Sequence, residues 1–265
     1  MRAGLLDALL DARVYDLEQP RYAGAPTFPA HEPGFMLFLH RRHEAGLGEA
    51  RTSASGLIVT AEHSGTHIDA LCHQAEDGRL CDGTRVDATI QGPTGVTHLD
   101  AASIEPLRAR GVLLDVPAVL DDGATVPTLI GSDLLQRALE ARGLELRPGD
   151  AVLVRTGNGA HFHERARYEA GPGIAGEASA WLAAQAPLVV GSDTMAWDLP
   201  GHRDPQLDCT LPGHVHLICR AGVHIVENLA LEELAADGVG EFAFLCLPLK
   251  MRGATGSPVR PVALV

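Results

Sequence analysis

Four short apolar runs bounded by turn residues recur along the chain, at Gly111–Val116, Ala151–Thr156, Leu188–Asp193 and Phe242–Leu247, with helical patterns between them. Runs of this length, rich in Val and Leu, suit buried strands. The intervening segments carry helix ends: Ser132–Arg142 opens on a capping serine and stops at Gly143, Glu177–Gln185 follows, and Asn228–Ala236 opens on a capping asparagine. Strand and helix in alternation predict an α/β or α+β layered domain. No internal repeat, low-complexity linker or local concentration of Pro and Gly marks a boundary, so residues 1–265 are expected to form one domain.

The first 60 residues are less regular. Pro20, Pro26, Pro29 and Pro33 forbid a long helix and predict loops and short strands. Before them, the apolar run within Met1–Val14 is broken by Asp7 and Asp11 and lacks a small-residue cleavage site, so it reads as an amphipathic helix and not a signal peptide. The tail Gly253–Val265 is expected to be extended, lining a pocket or covering a sheet edge. No stretch approaches the roughly 20 apolar residues of a membrane span. The net charge of −13, with 21 scattered basic residues, excludes phosphate-backbone recognition and hence nucleic acid. Five cysteines without a Cys-x-x-Cys pair indicate neither a disulfide framework nor a zinc ribbon, and fit a reducing cytoplasm.

The 13 histidines point to chemistry. His63-Ser64-Gly65-Thr66-His67-Ile68-Asp69-Ala70-Leu71-Cys72-His73 places four potential metal ligands within eleven positions. The metalloprotease helix motif needs Glu directly after its first His, and Ser64 stands there. A helix would also turn Asp69 away from the His63/His67 face. In an extended segment all four candidates, being at odd positions, share a face, with His67 and Asp69 about 6.6 Å apart. His63 would then lie roughly 13 Å from His67, so a turn is predicted at Ser64-Gly65. Two imidazoles and a carboxylate leave coordination positions open, as in a catalytic site for Zn or Mn.

A second group comprises His202, Asp204, Asp208, His214, His216, His224 and Glu227. His202, Asp204 and His224 read as solvated loop residues. Glu227 differs, because it follows Ile225-Val226 at a buried strand end, where a carboxylate needs a His or a metal as partner.

The run His63–His73 resembles the His-x-Gly-Thr-His-x-Asp-x-x-x-His signature of the putative cyclase family, which includes bacterial kynurenine formamidases and isatin hydrolases. Asp16-Leu17, Gly149-Asp150 to Gly157, Gly191-Ser192-Asp193, Val226-Glu227-Asn228-Leu229 and Gly256–Pro261 are similar to that family's recurring segments, so nearly the whole chain is covered. The resemblance implies a swivelling β/β/α fold, usually oligomeric (dimer or tetramer), with metal at the edge of its sheets. It implies that His63, His67 and Asp69 bind metal, that His73 is a general base or ligand to a second ion, and that Glu227 helps to hold that ion. His214 fits the upstream histidine better than His216. Leu71 departs from the family's frequent Pro, which leaves the substrate open, and the chain length is nearer that of isatin hydrolases than of the formamidases.

The chemistry expected is hydrolysis of a C–N amide bond, cyclic amide or aryl formamide, by metal-activated water with one or two ions, His73 moving the proton and Glu227 assisting. Phe28–Phe38 and Phe162–Tyr168 offer aromatic surface for a planar substrate, although such residues are commonly core. A nicotinamide dehydrogenase is the rival enzyme, since Gly171-Pro172-Gly173-Ile174-Ala175-Gly176 fits Gly-x-Gly-x-x-Gly with Asp193 about 20 residues on, but charged Glu164–Ala170 is unlike the strand that must precede it. No Gly-x-Ser-x-Gly elbow occurs, and Cys72 reads as packing beside the site, not as a nucleophile. A third reading is a non-catalytic metal or ligand-binding protein, which predicts a filled coordination sphere or no open cleft.

Overall fold

A computed structural model describes residues 2–46, 48 and 50–265. Eleven strands and four helices are labelled here, in chain order. Helix α1 (Arg2–Asp11) precedes β1 (Val14–Asp16), an arm of β2 (Phe35–Arg41) and β3 (Ser55–Thr60), and β4 (His67–Asp69). Then come β5 (Leu107–Asp115), α2 (Ser132–Ala141), β6 (Ala151–Arg155), α3 (Gly176–Ala184), β7 (Val189–Ser192), β8 (His224–Glu227), α4 (Glu232–Ala236), β9 (Glu241–Cys246), β10 (Gly256–Pro258) and β11 (Val262–Leu264).

Nine of these strands form one mixed α/β sheet in the order β1-β11-β9-β5-β6-β7-β8-β4-β10. Its centre, β5 to β8, is parallel, and the flanking pairs are antiparallel. Alternation along the central strands sends Val112, Leu114, Val152, Val154, Val190 and Ile225 to one face under α2 and α3. Leu113, Leu153, Val189 and Val226 face the opposite way, onto Leu229, Leu234, Phe242 and Phe244. Three of the four apolar runs are the buried strands expected, with β5 longer than the sequence indicated because Leu107–Arg110 pair with β9; the fourth, β9, is only half-buried, its residues alternating between core and solvent, and Leu247 lies beyond it, exposed. The tail is extended as expected: β10 pairs with β4 as one edge strand of the sheet, and β11 is inserted between β1, the other edge, and β9.

Several local expectations are corrected. Helix α2 starts at Ser132 after Gly131, and its first N–H is met by Glu177 from α3, not by a capping hydroxyl. Helix α4 starts at Glu232, because Asn228 is left-handed (φ 59°) and its side chain is bonded to Tyr168 and Met195. Helix α1 is not amphipathic in packing, since Leu6, Leu9 and Leu10 are all exposed. The region before residue 60 holds two strands longer than expected, β2 and β3. Among the described residues, no helix is long and apolar enough to cross a membrane, and all five cysteines are free.

Candidate metal centre

The site lies one strand in from the β10 edge of the sheet, where β4 meets the carboxyl end of β8. Register pairs His67 with Glu227 and Asp69 with Gly256. His67 and Asp69, two apart on β4, therefore share a face with the Glu227 carboxylate directly opposite. Before β4 the chain turns at Ser64-Gly65, with Gly65 at φ +61° as the spacing required. The Arg21 guanidinium donates to the Ser64 and Thr66 carbonyls and pins that turn. It returns His63 to the strand face, its ring centroid 5.1 Å from that of His67.

His73 is not on the strand. β4 stops at Asp69, and a turn closed by the His73 N–H on the Ala70 carbonyl (2.9 Å) brings the ring back to 4.0 Å from His63, centroid to centroid. His214 arrives from the far side, in the short helix Pro212–His214 ahead of the π turn Val215–Ala221. His216 is in neither the candidate ligand groups nor the cavity lining, and burial, with the nearby Arg220, lowers its pKa. His224 is not the solvated loop residue expected: it opens β8, is largely shielded from solvent, and is bonded through Nδ1 to the Asp69 carbonyl at 2.7 Å.

The hydrogen bonds set the direction of the free nitrogens. His67 donates from Nδ1 to the Gly65 carbonyl (2.8 Å), and His214 from Nδ1 to Asp198 Oδ2 (2.7 Å), so each turns the lone pair of Nε2 inward. The Thr255 hydroxyl donates to Glu62 Oε2 (2.8 Å) and so accepts from His63 Nε2 (2.9 Å), which leaves the lone pair of His63 Nδ1 facing Asp69 Oδ1 at 2.8 Å. A lone pair cannot face a carboxylate oxygen at that distance without a cation, whether proton or metal, between or beside them.

Two buried atoms, His67 Nε2 and Asp69 Oδ2, lack any hydrogen-bond partner. His67 Nε2 is 3.5 Å from both Asp69 Oδ1 and Glu227 Oε2; His214 Nε2 is 3.5 Å from Asp69 Oδ2 and 3.6 Å from Glu227 Oε1. These separations are too long for good hydrogen bonds. They match the roughly 3.4 Å between donor atoms around a tetrahedral ion with bonds of about 2.1 Å. Donor atoms of His63, His67 and Asp69, and of Asp69, His73 and His214, lie within 4.8 Å of one another. The donor set fits a divalent cation, and Asp69 belongs to both of these groups.

Electrostatics agree. Burial and the neighbouring Asp69 carboxylate raise Glu227. Burial works against ionised Asp69 too, but the surrounding histidines hold it well below the usual carboxylate range. For His67 and His214 burial is outweighed by Asp69, Glu227 and, for His214, Asp198, so both stand above the ordinary imidazole value. Burial, with help from the neighbouring histidines, pushes His73 down to about 3 and His31 down to about 4.

A cavity of about 190 Å³ opens beside the cluster, lined by Phe28, Ala30, His31, Gln74, Ala196 and Leu211 in addition to the six predicted site residues. His31, Glu62 and Asp198 escaped the sequence reading. His31 was hidden in a proline-rich stretch, and only the fold shows its ring 4.8 Å from His63. Phe28 is at the cavity, Phe38 is exposed on the arm, and Phe162 and Tyr168 are core. Cys72, buried and held up to about 12, is no nucleophile.

The glycine-rich turn is not a dinucleotide site. Helix Arg165–Glu169 precedes it where a strand is required. Added Cβ atoms at Gly171 and Gly173 would strike the Asn158 side chain at 2.3 Å and the Leu199 backbone at 2.0 Å, so these glycines serve packing. Asp193 is buried under the Thr156, Gly157 and Gly159 amides.

Histidines and carboxylates converging one strand in from the sheet edge, beside an open cavity, make a candidate metal centre. The Putative cyclase family model matches residues 15–199, and the chain belongs to that family. It is 27% identical over 251 residues to a kynurenine formamidase of Sphingopyxis alaskensis, an alignment spanning 95% of this chain and 97% of the relative. It superposes on the crystal structure of a novel cyclase with a TM-score of 0.82 at 26% identity (98% of this chain, 91% of that one). It matches the fold of isatin hydrolase A from Ralstonia solanacearum with a TM-score of 0.73 at 24% identity (100% and 95%). Near-complete coverage of the formamidase removes chain length as a reason to prefer isatin hydrolases.

Proposed function

We propose that this protein is a metal-dependent amidohydrolase that opens a non-peptide C–N bond, with an aryl formamide or a cyclic amide as substrate. The observation that carries this reading is the inward convergence of buried His and carboxylate atoms, two of them unpaired, on a chain whose full-length relatives are formamidases by name. His63, His67 and Asp69 would hold one Zn or Mn ion; His214 and Glu227, with Asp69, would hold a second, to which His73 would be a further ligand or beside which, left unligated, it would be the general base. A bound ion lowers the pKa of its water and polarises the amide carbonyl.

The chain's own groups do the rest. His73 is neutral at neutral pH, and its free lone pair can take the proton of the attacking water and return it to the departing nitrogen. Glu227, fixed by the Trp197 N–H at 2.7 Å, supplies the second carboxylate. Phe28, Ala196 and Leu211 give an apolar wall for a planar aromatic ring, and Gln74 and His31 are the polar groups left to meet its substituents. An open cleft beside the donor set runs against a purely binding role.

The reading includes a single domain over residues 1–265, a cytoplasmic setting in keeping with five free cysteines, and a homo-oligomer, dimer or tetramer, since large apolar side chains stand in solvent on one copy. The test is metal content by mass spectrometry on untagged protein, with N-formylkynurenine and isatin hydrolysis assayed before and after chelation. Bound Zn or Mn with chelator-sensitive turnover supports the reading; protein that takes up no metal overturns it.

A further inference from the structure

A second cavity, of about 680 Å³, shares no lining residue with the one at the metal centre. Its walls come from the hairpin Gln91–Gly92/Gly95–Val96, the turn from Asp100 to Ser103, and the segment Lys250–Gly253. Backbone bonds fix these walls to one another. The Val96 N–H donates to the Gly253 carbonyl (2.9 Å), the Ala101 N–H to the Ala254 carbonyl (2.8 Å), and the Gly253 N–H to Asp100 Oδ2 (2.7 Å). Gly95 sits so close to that segment that a Cβ on it would lie 2.3 Å from the Gly253 carbonyl oxygen. The cavity is therefore preformed, and its volume falls within the roughly 300–1,000 Å³ of small-molecule sites.

Its charge is unlike that of the rest of the chain. Met251 packs on the core, while its neighbours Lys250 and Arg252 are exposed and both line the cavity. Among the described residues neither forms an ion pair. The one carboxylate in the lining, Asp100, is engaged by the Gly253 N–H, so two cations face one committed anion on a chain of net charge −13. Two cations lining one concavity repel each other, and an oxyanion between them turns that repulsion into attraction. The Thr97 and Ser103 hydroxyls donate to backbone carbonyls, and Thr94 adds a further hydroxyl at the rim.

We propose that this cavity binds the phosphate group of a small molecule, held by Lys250 and Arg252 with Thr94 as a further donor. A phosphate dianion matches the two cations in charge, and the fork of Arg252 and the point charge of Lys250 are the donor types that recognise it. A carboxylate offers the same oxyanion chemistry with half the charge. The acidic surface elsewhere repels anions, which confines binding to the cavity.

Lys250 is the only lysine in the chain, so protein grown with carbon-13-labelled lysine reports this cavity through a single Cε resonance. An anion bound at the metal centre leaves that resonance in place. The metal-loaded protein is titrated with inorganic phosphate at about pH 8, where the dianion dominates, and in a second arm with succinate, at ionic strength held constant with sodium chloride. The expected result is a saturable shift with phosphate, and binding about 10- to 100-fold weaker in Arg252→Gln, as for the loss of one hydrogen bond to a charged group. Saturation by succinate alone overturns phosphate as the group recognised. A resonance that neither anion moves overturns the site, as does Arg252→Gln with unaltered circular dichroism and wild-type phosphate affinity. None of these readouts depends on amide turnover, so they stand apart from the hydrolase reading.

Discussion

Gly256→Ala tests the centre at the point where the backbone leaves it least room. Gly256 pairs with Asp69, and a Cβ there would lie 2.6 Å from His63 Cε1, 3.0 Å from its Nδ1 and 3.0 Å from the Ile68 carbonyl oxygen. Ordinary carbon contacts begin at about 3.5 Å, so the His63 ring must retreat by about 0.9 Å. Its nitrogens are held by Asp69 and Thr255 and its face is packed on His73, so the retreat breaks at least one of these contacts.

Overpacking of this kind costs about 1–3 kcal/mol. At roughly 2 °C per kcal/mol for a chain of this size, Tm should fall by about 2–6 °C. The effect on function is larger, because a displaced ligand weakens metal binding by about 10- to 100-fold and a misplacement near 1 Å lowers turnover by about 10²-fold. Differential scanning fluorimetry, dye competition for Zn and turnover of N-formylkynurenine would be measured beside Gly92→Ala, whose Cβ meets nothing within 4 Å. If both variants match wild type in metal affinity and turnover, the placement of His63 against β10 is refuted.

Asp198→Asn removes the anion that orients His214 and should weaken metal binding by about 10- to 100-fold, with dye competition as the readout. His73→Ala should keep the His63/His67/Asp69 ion by mass spectrometry while losing most turnover; full activity would remove His73 from the proton path. Metal must displace the protons that His67 and His214 hold above the ordinary imidazole value. Affinity should therefore rise with pH from about 6.5 upward, with proton release visible by calorimetry in buffers of different ionisation enthalpy. Both imidazoles favour the folded metal-free protein when protonated, so its Tm should decline as pH rises through their raised pKa values, while the loaded protein stays level. Burial holds Cys72 and Cys246 up to about 12, so iodoacetamide near pH 8 should spare both in the native protein and reach the more open Cys81 and Cys209, as peptide mapping would show.

The central strands were legible because each buries both faces, and an apolar run such as Ala151–Arg155 can do little else. Helix ends were read less well. Glu177 displaced Ser132 as the cap of α2 from 45 positions away, and Asn228 was taken by Tyr168 and Met195 into a left-handed turn. Local propensity proposed those caps, and tertiary partners overrode them. The arm was missed because prolines at 20, 26, 29 and 33 argue only against helix and say nothing of a hairpin beginning at Phe35.

The site divides along the same physical line. His63, His67 and Asp69 were legible because a turn at Gly65 and a two-residue strand period are local geometry, and local geometry is carried by neighbouring residues. Placing His73 on the same strand was the natural extension of that period, and it failed where pairing failed. β10 supplies partners for residues 67–69 only, and beyond Asp69 the chain is free to turn and carry His73 inward. Glu227 could be suspected from burial alone, since a carboxylate behind Ile225-Val226 needs a partner. That the partner is His67 across a strand pair is a fact of sheet register, which no spacing along the chain encodes. Asp198 and Glu62 lie a further step out, because each acts by fixing which nitrogen of a histidine carries the proton. Asp198 is bonded to both the backbone and the ring of His214, whereas Glu62 reaches His63 only through Thr255, 193 residues away. Orientation of a metal ligand is thus assembled from the whole fold, while its identity can sit in eleven consecutive residues.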